Sequence, residues 1–95
     1  MTEERAGSVF SSRDMEHLIL WLGHRVDDLE TGRVERARRD LANMWGAERK
    51  LVPIPVREVM TDDVVRARIA LAGHPADLHT ASAALRQAIR RLTEL

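Results

Sequence analysis

One stretch decides what this chain can fold into. Ser11 to Glu30 reads SSRDMEHLILWLGHRVDDLE, and its apolar residues fall at Met15, Leu18, Ile19, Leu22, Val26 and Leu29. Steps of three and four place all six on one side of an α-helix. Ser11 with Asp14 three residues on forms a capping-box signature, and Phe10 is set to staple onto Met15. Trp21 widens the apolar stripe. A helix this apolar on one side needs other segments to cover it.

Three further runs supply that cover. Thr31-Gly32 is a natural break, with Gly32 as the residue just past the helix end; the alternative is one continuous helix from Ser12 to Trp45. The five-residue step from Leu29 to Val34 turns the stripe off its face and favours the break. The second helix covers Arg33 to Glu48, with Val34, Ala37, Leu41, Met44 and Trp45 inward, and pairs Glu35 with Arg39 and Arg36 with Asp40 outward. LVPIPV, Leu51 to Val56, is wholly apolar and contains two prolines. It reads as an extended strap packed on the bundle or on a partner.

The third helix has two candidate starts, Pro55 and Thr61-Asp62-Asp63, the latter an N-cap hydroxyl followed by two carboxylates. Gly73 closes it. His74-Pro75 suits the start of a fourth helix that runs to about Glu94, with a seam of Leu78, Ala81, Leu85, Ala88, Ile89, Leu92 and Leu95. The expected fold is an all-α bundle of about four helices over residues 11–95, preceded by a flexible N-terminal segment, 1–10.

Ninety-five residues fit one domain with a modest core. With no cysteine, there are no disulfides, thiol nucleophiles or cysteine-based zinc sites. The opening MTEERAGS has no apolar core of a signal peptide, and no apolar run reaches the length of a membrane span, so a cytoplasmic protein without membrane contact is expected. Fifteen basic residues balance fifteen acidic ones, and fourteen of the basic ones are Arg. Residues 1–32 carry three Arg and seven acids, whereas 33–50 carry six cations and three acids. Such a split suits complementary neighbours within one fold or between two copies of it.

Four constellations are candidates for function. Asp14, His17, Trp21, His24 and Asp28 form a second stripe on the first helix, in which Asp14 would orient His17 and Asp28 would orient His24. His17 and His24 are about 10 Å apart along the axis and cannot share a metal alone; His74 and His79 would have to join them. Arg33, Arg36, Arg38 and Arg39 are candidate nucleic-acid contacts. The third and fourth helices have the outline of a helix-turn-helix. The would-be recognition helix, PADLHTASAAL, opens on Asp77 with no cation before Arg86, which argues against it. VREVMTDDVV, Val56 to Val65, resembles the opening of a CBS-domain repeat, but the strand and helix pattern that should follow is missing.

No catalytic residue and no cofactor is expected. Ser8, Ser11, Ser12 and Ser82 lack a paired base, and there is no Gly-rich phosphate loop. The leading expectation is a non-enzymatic protein–protein interaction module or small subunit that self-associates, with Trp21, Trp45, Ile54, Val56, Leu92 and Leu95 at the interface. The alternatives are a small nucleic-acid-binding regulator and a His-based metal or enzymatic bundle.

Overall fold

The computed structural model describes residues 11–43 and 52–95. They form four helices: α1 Ser12–Glu30, α2 Val34–Asn43, α3 Ile54–Ala72 and α4 Leu78–Thr93. Among the described residues there is no strand. The helices close a ring in which α1 packs on α2 and α4, and α3 packs on α2 and α4. The α3–α4 and α1–α4 seams are the most extensive, so α4 is the shared wall of the bundle.

α1 starts where its local chemistry dictates. The Asp14 amide donates to the Ser11 hydroxyl at 3.2 Å and the Ser11 amide donates to the Asp14 carboxylate at 2.9 Å, which completes the capping box. Leu18, Leu22, Val26 and Leu29 are buried. The helix ends in a Schellman turn: the Arg33 amide donates to the Asp28 carbonyl at 2.7 Å and the Gly32 amide to the Leu29 carbonyl at 3.3 Å. Gly32 sits at φ 84°, the left-handed conformation such a turn requires. The continuous-helix alternative is thereby excluded.

Among the described residues α2 buries only Ala37 and Leu41. Its predicted i, i+4 pairs are replaced by other contacts. Glu35 meets Arg38, one turn on, and Asp40 reaches across to Arg25 of α1, because that side of α2 faces a neighbouring helix rather than water. Met44, Trp45 and the remaining predicted turn of this helix lie outside the described residues.

The Pro-containing strap is short. Leu51 lies outside the described residues; Pro53, at φ −59° and ψ 149°, is extended, with buried Val52 before it, and Ile54 to Val56 are helical. α3 begins at Ile54 and takes Pro55 into its first turn, where a missing amide hydrogen costs nothing. Of the two predicted starts, the proline wins. Thr61 is a helix-interior residue whose hydroxyl donates back to the Arg57 carbonyl at 2.5 Å, and Asp63 is buried. α4 starts three residues later than His74-Pro75 suggests, because Asp77 caps it. The Asp77 carboxylate accepts from the Thr80 amide at 3.0 Å and from its hydroxyl at 2.6 Å.

The core is aliphatic, built on Leu22, Leu41, Met60, Val64, Leu71, Leu85 and Leu92 with Ala37, Ala67, Ala81, Ala84 and Ala88 between them. Alanines let the α4 backbone approach its neighbours closely. Each fully buried large aliphatic side chain is worth about 1.5–3 kcal/mol. Between α3 and α4 one buried charge is paired across the seam among the described residues: Asp63, 1% exposed, lies 3.1 Å from Arg91 of α4 and 3.3 Å from Arg66 of its own helix.

Candidate protein interface

α3 is apolar on both sides. Met60, Val64, Ala67 and Leu71 fill the core, while Ile54, Val65 and Ile69 point outward. Ile54 is 60%, Val65 40% and Ile69 69% exposed, and they are three of the five large apolar side chains exposed among the described residues. An amphipathic surface helix hides its apolar stripe and turns a polar one to water; the outward side of α3 instead mixes these apolar residues with exposed Glu58, Asp62, Arg66 and Arg68. Beside Val65 and Ile69, the α2–α3 junction opens a groove of about 350 Å³, lined also by Arg38, Ala42, Arg68 and Ala72.

The other exposed apolar residues stand apart. Leu20 is alone among Glu16, His17 and His24 on α1, and Leu95 ends the chain; scattered singles of this kind are ordinary surface. Of the residues expected at an interface, Ile54 and Leu95 are exposed and Val56 half-buried. Trp21 is also half-buried, with its ring under the Arg25 guanidinium at 4.8 Å. Trp45 lies outside the described residues. Leu92 is a correction: at 1% exposure it belongs to the bundle's own core, where the α4 seam places it against α3 and α1, and it offers nothing to a partner.

The first-helix stripe does not assemble as imidazole–carboxylate pairs. Asp14 is engaged by Ser11, whose amide and, secondarily, hydroxyl hold its carboxyl below the ordinary value, with His17 a minor contribution. Asp28 is 5% exposed and turns inward to Arg25 at 3.3 Å and Arg33 at 3.9 Å, not to His24. His17, His24, His74 and His79 are all exposed, and among the described residues no group of three or more His, Asp or Glu is arranged to hold a metal ion. Asp77, the α4 cap, likewise titrates below its usual value, first because of the Thr80 hydroxyl and then its amide.

The four-arginine run is divided by the fold. Arg38 is committed inward: its Nε and Nη2 donate to the Leu71 carbonyl at 3.2 and 2.7 Å, satisfying an orphan acceptor at the α3 C-terminus, while its Nη1 meets Glu35. Arg33 leans toward Asp28, and Arg36 and Arg39 face solvent. What remains is a sparse cationic edge.

Sequence reasoning missed the node that organises the α1–α2 corner. Arg25 is 12% exposed; it donates to Asp40 at 2.7 Å, lies 3.3 Å from Asp28 and covers the Trp21 face. The Asp28 Oδ2 and Arg25 Nε are not aligned as a hydrogen bond, so that part of the node is a charge contact. A further cross-helix contact, Arg86 with Glu30, ties α4 to the end of α1.

No known protein family, no curated protein and no solved structure matches this chain. The class that the fold itself defines is a small four-helix all-α bundle. No helix among the described residues is long and apolar enough to cross a membrane.

Proposed function

We propose that this chain is a non-enzymatic protein–protein interaction module, a small cytoplasmic subunit or adaptor that self-associates, and that the outward side of α3 is its contact surface. One observation carries the reading: Ile54, Val65 and Ile69 stay exposed on a helix whose opposite side already fills the core. Burying three such side chains is worth about 1.5–3 kcal/mol each when complete, enough to drive association once the cost of docking is met.

Sedimentation across the micromolar to millimolar range tests it. The wild-type chain is expected to gain mass with concentration, and Ile69→Glu, a change at an exposed position, to hold it at the monomer mass with unaltered helix content. A wild-type chain that stays monomeric throughout would end the self-association reading.

A further inference from the structure

The outward side of α3 carries a specific register. Ile54, Glu58, Thr61, Val65, Arg68 and Ala72 follow one another in steps of 4, 3, 4, 3 and 4, the spacing of a coiled-coil seam, and Thr61 alone of the six is even half-buried among exposed or partly exposed neighbours. Its exposed charges are ordered, with half-buried Arg57 the exception: Glu58 and Asp62 lie toward the N-terminal half, Arg66 and Arg68 toward the C-terminal half. Glu58, Asp62 and Arg68 make no ion pair among the described residues.

Resting on the self-association reading above, we infer that α3 pairs antiparallel with α3 of a second copy about a two-fold axis. Ile54 then faces Ala72 of the second copy, Glu58 faces Arg68, and Thr61 faces Val65. Each contact occurs twice. The order of charges selects this arrangement, because a parallel pairing in the same register sets Glu58 on Glu58 and Arg68 on Arg68. The antiparallel one lays each acidic half over a basic half and sets the helix dipoles head to tail. Ile54 of the second copy also arrives beside Ala72, at the mouth of the groove between α2 and α3. The seam is as long as the helix, 19 residues or about 28 Å. Because the same patch serves both copies, assembly stops at a dimer and does not run on into a filament.

A charge-swap cycle tests the register. Glu58→Arg turns two attractions into two repulsions, as does Arg68→Glu, and each is expected to weaken the dimer about tenfold at low salt. The double variant, Glu58→Arg with Arg68→Glu, restores the pairs with their signs exchanged and is expected to return within about threefold of wild type. Because the chain has no cysteine, a second readout is open. A mixture of Glu58→Cys and Arg68→Cys chains should cross-link to each other on mild oxidation, while Glu58→Cys alone should not. Wild type that dimerises, with a double variant as weak as the singles or with self-linked Glu58→Cys chains, overturns the antiparallel register and leaves self-association standing. Wild type that remains monomeric overturns both.

Discussion

Replacing Arg25 with Met, a side chain of similar reach without charge, removes three contacts at once. Asp40 loses its 2.7 Å donor, Asp28 loses the closer of its two cations, and Trp21 loses the guanidinium 4.8 Å from its ring centre. Asp28 decides the size of the effect. At 5% exposure it retains only Arg33, 3.9 Å away and largely in solvent, so a nearly uncompensated carboxylate stays buried. Breaking a buried pair from one side costs about 3–5 kcal/mol. Asp40 is partly exposed and rehydrates, and Met recovers some apolar packing on Trp21, so a net loss of about 2–4 kcal/mol is expected. For a chain of this size that is a large share of a total stability of about 5–14 kcal/mol, and it lowers the melting temperature by roughly 10–25 °C. Urea unfolding followed by circular dichroism reads it directly. Arg25→Lys should recover less than half of the loss, because one ammonium cannot serve both carboxylates and lie flat on the indole. A loss below about 1 kcal/mol for Arg25→Met would refute the reasoning, because it would mean that Asp28 is hydrated rather than buried.

Two further outcomes follow from the caps. Gly32→Ala meets no atom within 4 Å and yet holds a β-carbon at φ 84°, so it should cost about 1 kcal/mol from backbone strain alone in the same urea titration. Asp14 and Asp77 have folded-state pKa values depressed below their unfolded value of 3.8. Their stabilising contribution is therefore complete above pH 3.8 and lost as pH falls through the lower folded values. In thermal melts, Asp14→Asn and Asp77→Asn should each flatten that acid-side decline relative to wild type; a decline unchanged by both would place its origin elsewhere.

The parts of the fold legible in the sequence are those fixed by neighbours along the chain. Ser11 and Asp14 are three residues apart, Gly32 acts within its own turn, and the six apolar positions of α1 need only a period. Where two local signals competed, sequence could not rank them. Pro55 won over Thr61, and the fourth helix, expected to start at His74-Pro75, is capped by Asp77 instead. Partners far along the chain were out of reach. Arg25 meets Asp40 fifteen residues on, and Arg38 meets the Leu71 carbonyl 33 residues on. Nothing in a run of arginines marks which one turns inward. The outward side of α3 was half visible: Ile54 stood out in LVPIPV, but nothing in the sequence separated Val65 and Ile69 from Val64 and Leu71 until packing showed that Met60, Val64, Ala67 and Leu71 already filled the core.

The thinness of α2 has its own consequence. Among the described residues α2 is ten residues long and contributes two buried side chains where α1, α3 and α4 contribute five each, and it is held at its edges by Arg25–Asp40 and by the Arg38–Leu71 clasp. Its amides should exchange with solvent first, through an opening far cheaper than global unfolding. In that opened form the ring becomes a three-helix layer, α1 against α4 against α3, with one wall of the groove beside Ile69 swung away. Undoing that one short brace would therefore widen the apolar surface around Ile69 beyond what the closed bundle exposes.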